Sequence, residues 1–177
     1  MRITARMSTE MNGHSSFGKK LEKLVVNTSF GRLAAQPNFE EKVLPELIRE
    51  FSLITGQKPS PRPAKKSISG FKLRAGTTIG LTATLRGKRM NDFLRKLNAV
   101  VLPRIRDFRG VSLRSIDRSG NISIGIKDHL VFPEVHPEST KINFGMEITI
   151  VAPGIKNREE AIAFYQNIGV PLQKATK

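Results

Sequence analysis

Cysteine and tryptophan are absent from this 177-residue chain, and tyrosine occurs once. The missing thiols exclude a disulfide framework and every cysteine-ligated zinc site, and they fit a reducing compartment such as the cytoplasm. No stretch approaches the roughly 18 consecutive apolar residues of a membrane span. The opening MRITARMSTEMNGHSSFG has no apolar centre of the kind a secretory signal needs, so residues 1–18 read as a flexible N-terminal segment. Being poor in acids and carrying two Arg, it leaves an organellar address open.

Catalytic signatures are missing as well. GLTATLRGKR places six residues between Gly80 and Gly87 and has no Ser or Thr after Lys88, which departs from the phosphate-cradling G-x-x-x-x-G-K-S/T on both counts. There is no G-x-S-x-G elbow and no H-E-x-x-H pair. His129 and His136 flank LVFPEV with Glu134 between them, but no helical spacing sets them on one face, so no metal site is expected. Glu159 and Glu160 sit where a helix begins, and there acids serve the cap and dipole. Without an acid, base and nucleophile in one constellation, the chain reads as a non-enzyme with no cofactor, no metal and no small-molecule substrate.

The most informative absence is of negative charge. From Glu50 to Asp92 no carboxylate intervenes over 41 residues, while nine Lys or Arg do. Residues 57–118 hold 16 Lys or Arg against three Asp, a net of +13, whereas the rest of the chain balances 14 against 12. One third of the chain thus carries nearly all of the +15 formal charge, and such a field captures polyanions. Its densest part, KPSPRPAKKSISGFKLRAG (58–76), has six basic residues and three prolines, so it is an extended arm and not a long helix. The helix expected over 88–102 carries Lys88, Arg89, Arg95 and Lys96 opposite an apolar face, a pattern that also suits a lipid surface. That apolar face has the width of an ordinary core helix, and no membrane partner is expected.

What remains is patterned for a globular core, with 38% hydrophobic residues. LEKLVVNTSF (21–30) alternates as a strand, Leu24 and Val26 on one side, Val25 and Asn27 on the other. PNFEEKVLPELIREFSLITG reads as a helix with an Asn38–Glu41 capping box, an apolar face of Leu44, Leu47, Ile48, Phe51 and Ile54, and a stop at Gly56. Pro45 either kinks that helix or occupies the first turn of a shorter one. TIGLTATLRG alternates; GKRMNDFLRKLNAVVL returns to helical period through Met90, Phe93, Leu94, Leu97 and Val101, with Pro103 ending or bending it. GNISIGI and GMEITIV alternate again, and NREEAIAFYQNIG forms a last helix boxed by Asn157 and Glu160. The order β-α-β-α-β-β-α predicts an α+β domain over 19–177: a mainly antiparallel sheet with helices packed on one face, plus an extended basic loop over 58–78. The other sheet face would carry Asn27, Thr82, Thr84, Ser123, Gly125 and Thr149, with Arg86 at one end. Small polar side chains there suit close approach by sugar and phosphate oxygens.

Six blocks in fixed order give these elements a family resemblance: LITGQKP (53–59), AKKSISGFKLRAG (64–76), TLRGKRMNDFL (84–94), LPRIRDFRG (102–110), GNISIGIKDHLVFPE (120–134) and MEITIV (146–151). From about Lys19 to Pro171 the chain resembles the bacterial-type large-subunit ribosomal protein five, which binds 5S ribosomal RNA. The resemblance implies a structural constituent of the central protuberance, in a cytoplasmic or an organellar ribosome, beside large-subunit ribosomal RNA and neighbouring ribosomal proteins. It assigns 5S ribosomal RNA to Asn27, Gln57, Lys58, Lys65, Lys66, Ser67, Thr84 and Arg86. It assigns peptidyl-site transfer RNA to the loop bearing Ser69, Gly70, Phe71, Lys72, Arg74 and Thr77. An intersubunit bridge to a small-subunit head protein would involve Arg106, Arg109, Lys127 and His129. Two departures stand out. Most members begin with a helix of some twenty residues that residues 1–18 are too short and polar to replace fully, and PSPRP adds prolines that would stiffen the arm.

Overall fold

The computed structural model describes residues 21–173 apart from Arg32, Pro37, Lys72, Ser139, Lys141 and Lys156. Segment 1–18 and Lys72, the latter expected near transfer RNA, lie outside the described residues. Strand β1 runs Lys23–Ser29 and helix α1 Leu44–Thr55; β2 is Ser60–Pro63 and β3 Thr78–Leu85. Helix α2 covers Gly87–Lys96 and passes through a π-helical turn, Leu97–Val101, into the short α3, Leu102–Arg104. Strands β4 (Ile122–Ile126) and β5 (Met146–Val151) precede α4, Arg158–Asn167.

The strands form one antiparallel sheet in the order β2-β3-β1-β5-β4. Alternation in the sequence decides which face is covered. Leu24, Val26, Leu81, Ala83, Leu85, Ile122, Ile124, Ile126, Met146, Ile148 and Ile150 share one parity, and all are buried. They join one core with Leu47, Phe51 and Ile54 of α1, Met90, Phe93 and Leu94 of α2, and Ala161 and Tyr165 of α4. Each large apolar side chain among them contributes about 1.5–3 kcal/mol by leaving water, so a one-residue slip of any strand would be strongly disfavoured.

Three local details differ from the sequence expectation. Ser60–Pro63, expected as part of a loop, is an edge strand paired with β3. Proline is compatible with a ladder only at an edge, where its missing N–H faces no neighbour. Asn38 is left-handed with φ 60° and Asn157 is extended, and neither side chain caps its helix. A π-helical turn, Phe39–Val43, leads into α1, and Pro45 sits in the first turn of that shorter helix, the position where its lost donor matters least. Pro103 likewise falls in the first turn of α3, and the chain becomes extended at Ile105.

Candidate nucleic-acid interface

The described helices all pack on the core face, and the ladders fix which residues stand together on the second face. Across the centre run Ser60, Thr82, Asn27, Glu147 and Gly125, each the register partner of the next. The adjacent row is Thr84, Val25, Thr149 and Ser123. Hydroxyl and amide groups link within the rows: Thr82 Oγ1 donates to Asn27 Oδ1 at 2.9 Å, and the Ser123 and Thr149 hydroxyls lie 3.0 Å apart. These bonds hold short side chains flat against the sheet, so a partner can approach the backbone closely.

Along the β2–β3 edge the expected basic residues fall into line. Gly56, left-handed at φ 66°, ends α1 with its N–H on the Ser52 carbonyl, and Thr55 Oγ1 lies 2.9 Å from the Gln57 carbonyl. That turn delivers half-buried Gln57 and exposed Lys58 to the start of β2. Because Ser60 opposes Thr82, Lys58 lies at the Thr84–Arg86 end of the antiparallel pair. Arg62 pairs with Gly80, whose added Cβ would come within 2.7 Å of the Thr28 carbonyl, so only glycine fits there. Exposed Lys65, Lys66 and Ser67 follow at the opposite end. Asn27, Gln57, Lys58, Thr84 and Arg86 therefore share one region of the sheet, and Lys65–Ser67 extend it. An eight-residue strand spans roughly 27 Å, about the length of several nucleotides.

The basic arm is a hairpin between β2 and β3. Ala64 and Thr77 close its base, with Ala64 N–H on the Thr77 carbonyl at 2.8 Å and Gly76 N–H on the Ala64 carbonyl at 2.9 Å. Further out, Ala75 N–H donates to Ser67 Oγ at 2.9 Å, and Ile68 and Leu73 bridge. A 3-10 turn, Ser69–Phe71, forms the tip, where Phe71 is 65% and Ile68 47% exposed. Ser69, Gly70, Phe71 and Arg74 are exposed together near the tip; Thr77 belongs to the base.

The bridge residues divide differently. Arg106 and Arg109 are exposed on the turn after α3, which is fastened by Val111 N–H on the Pro171 carbonyl at 2.7 Å. Lys127 is exposed beyond β4, and no hydrogen bond or ion pair joins it to the two arginines among the described residues. His129 departs from its expected place on a contact surface, because it is fully buried. Its ring stacks on Phe144 at 4.0 Å, Nδ1 lies 3.2 Å from Asn143 Oδ1, and Nε2 approaches Glu50 Oε2 at 3.2 Å without hydrogen-bond alignment. Packed against Phe144, the ring offers no exposed surface in the free chain, unlike Arg106, Arg109 and Lys127.

Two features go beyond the expected site residues. Glu147, which alternation sets opposite the core beside Thr149, stands in the central row of the polar face, a carboxylate not counted among its small polar side chains. Lys96, counted with the basic segment, turns inward to Glu134 at 2.6 Å. The alternation of GMEITIV already puts Glu147 opposite the core; nothing in the sequence distinguishes Lys96 from its basic neighbours. Among the described residues no group of three or more His, Asp or Glu could hold a metal ion, and no helix is long and apolar enough to cross a membrane.

Comparison with known families decides the lineage. Residues 19–74 match the family described as ribosomal protein L5, and residues 78–172 match the C-terminal region of the same ribosomal family. The chain belongs to the ribosomal protein L5 family. Relatives named large ribosomal subunit protein uL5 include one from Oceanobacillus iheyensis, 44% identical over 155 residues that cover 88% of this chain and 84% of the relative. Those from Mycoplasma mycoides and Mycoplasma capricolum are 46% and 47% identical, each over 88% of this chain and 83% of the relative. Family members are structural constituents of the ribosome and not enzymes, which accords with the absent catalytic motifs. The junction between the two matches, at residues 74–78, falls at the base of the arm, so the N-terminal match contributes β1, α1 and β2, and the C-terminal match the rest of the sheet.

Proposed function

We propose that this family member serves the large subunit of a cytoplasmic ribosome by docking 5S ribosomal RNA on its open sheet face and basic hairpin. The hairpin tip then reaches peptidyl-site transfer RNA, and the Arg106–Arg109 turn with Lys127 faces a small-subunit head protein. One observation carries the reading: Lys58 and Arg86 at one end, Asn27, Thr82 and Thr84 on the face, and Lys65–Ser67 on the arm line one side of the sheet and its hairpin, which no helix among the described residues covers. RNA is held largely through phosphate, hydroxyl and shape contacts, which short hydroxyl side chains flanked by cations supply.

The test is salt-dependent binding of purified protein to 5S ribosomal RNA. Neutralising about six phosphates should give a slope of log K against log salt near −4 to −5. A slope shallower than about −1 would contradict charge-driven docking on this surface.

A further inference from the structure

Glu147 is the one carboxylate among the outward-facing strand residues described, and it stands at the centre of that face. It is exposed, its register partners are Asn27 on β1 and Gly125 on β4, and no ion pair or hydrogen bond engages it among the described residues. Against a polyanion this placement is unfavourable wherever a phosphate lies opposite, and more so once water is displaced. An exposed carboxylate instead favours a partner that presents N–H donors.

Asn27 supplies the complement. Its Oδ1 accepts the Thr82 hydroxyl, which leaves the two Nδ2 protons for a ligand. Asn27 and Glu147, directly opposed on adjacent strands, thus offer a donor followed by two acceptor oxygens. The Watson–Crick edge of guanine reads acceptor, donor, donor: O6, N1–H and the 2-amino group. Adenine turns its N6 donor toward Asn27 and its N1 acceptor toward the carboxylate, and cytosine sets acceptors against it. Uracil matches two positions and then places O2 against a carboxylate oxygen. An open cleft along Asn27, Thr28, Ser29, Gly145 and Met146, beside the side-chain-free Gly125, leaves room for a planar ring.

We propose that Asn27 and Glu147 form a base-reading site for an unpaired guanine of the bound RNA. The proposal rests on the sheet-docking reading above and adds sequence selectivity to a surface otherwise built for backbone contacts. Unpaired bases present this edge to proteins, whereas paired ones do not.

The sign of one substitution tests it. Glu147→Gln removes a negative charge from a strongly basic protein, so on charge alone it should tighten 5S ribosomal RNA binding. If the carboxylate reads guanine, the variant binds about tenfold more weakly, because the glutamine amide sets a donor against a donor. The second arm replaces unpaired guanosines of 5S ribosomal RNA one at a time by inosine, which lacks the 2-amino group. One position should weaken the wild type about tenfold and leave Glu147→Gln unaffected. Unchanged or tighter binding by Glu147→Gln overturns the base site while leaving sheet docking intact. So does a loss that disappears when magnesium is withdrawn, which would mean a cation bridging carboxylate and phosphate. Failure of the wild type to bind 5S ribosomal RNA at all overturns both readings.

Discussion

Lys96 Nζ donates to Glu134 Oε1 at 2.6 Å and to the Ile54 carbonyl at 2.7 Å, tying α2 to the last turn of α1 and to the loop after β4. The ammonium also lies over the rings of Phe93 and Phe132, at 5.1 and 5.7 Å. This cation belongs to the basic segment by sequence and to the fold by geometry. Lys96→Met should lower stability by about 1–3 kcal/mol, since the Ile54 carbonyl and a part-buried carboxylate lose their donor. Affinity for 5S ribosomal RNA should stay within about twofold of wild type. Denaturant titration and filter binding separate the two effects; weakened RNA binding with unchanged stability would move Lys96 onto the binding surface.

Lys65 and Lys66 should behave in the opposite way. Both are exposed on the arm, and neither has an ion-pair partner among the described residues. Exposed charges contribute little to folding, so Lys65→Glu with Lys66→Glu should leave thermal unfolding nearly unchanged. RNA affinity should fall by several kcal/mol in aggregate, two attractions having become repulsions. Parallel loss of folding would show that the arm supports the core.

The contrast shows what a sequence carries and what it does not. Strand faces were legible because period-two alternation at Leu24–Val26, Leu81–Leu85, Ile122–Ile126 and Met146–Ile150 reports burial directly. The β2 strand was not, since a ladder needs a partner as well as a propensity, and prolines at 61 and 63 argue locally for a loop. Helix positions survived the failure of their expected caps: α1 and α4 form without side-chain caps at Asn38 and Asn157 because buried Leu47, Phe51, Ala161 and Tyr165 hold them against the sheet. The candidate site was legible where it depends on parity, as at Asn27 and Thr84. It was illegible where direction matters, as with His129 and Lys96, whose polar atoms turn toward partners on distant elements.

Thr84 tests the sheet face without touching charge. It is half-buried in the row beside Val25, on the uncovered side. Thr84→Leu adds bulk where close approach is required and removes a hydroxyl, so RNA affinity should drop at least tenfold, equivalent to about 1.4 kcal/mol. Binding of the variant to 5S ribosomal RNA at fixed salt is the measurement. Unaltered affinity would leave the arm as the sole docking element.

Tyr165 separates scaffold from site at the far side of the core. Its hydroxyl, fully buried, donates to the Gly120 carbonyl at 2.7 Å, and the Ile150 carbonyl lies 3.3 Å away. Burial holds the phenol well above its ordinary value, with the charge of Asp117 adding to the effect. Tyr165→Phe should cost about 1–3 kcal/mol at neutral pH, because a buried carbonyl loses its donor. For an acid whose folded value is raised, the stabilisation is complete below the unfolded value of 10.0 and is lost as pH climbs beyond it. The stability gap between wild type and variant should therefore narrow in strongly alkaline solution, and RNA binding should be the same for both at neutral pH. A gap that widens with alkali would mean that the phenol is not held neutral by burial.

The hairpin tip gives the most direct test of a second RNA partner. Contacts at Ala64–Thr77, Ser67–Ala75 and Ile68–Leu73 define a stem that projects the Ser69–Phe71 turn, and they use main-chain groups and one serine hydroxyl, leaving Phe71 without a share in the core. A large apolar ring 65% exposed at the end of a basic hairpin can cover sugar and base surfaces that cations alone cannot. Phe71→Ser keeps the stem bonds and removes that ring. It should spare 5S ribosomal RNA binding and subunit assembly, since Lys65, Lys66 and the sheet face are untouched. Occupancy by peptidyl-site transfer RNA should fall about threefold to tenfold, the scale of roughly 1 kcal/mol for an aromatic side chain that loses part of its covered area. Filter binding of that transfer RNA to ribosomes carrying the variant is the measurement. Full occupancy would make the contact incidental, whereas loss of 5S ribosomal RNA as well would place the boundary between the two RNA sites further out along the stem.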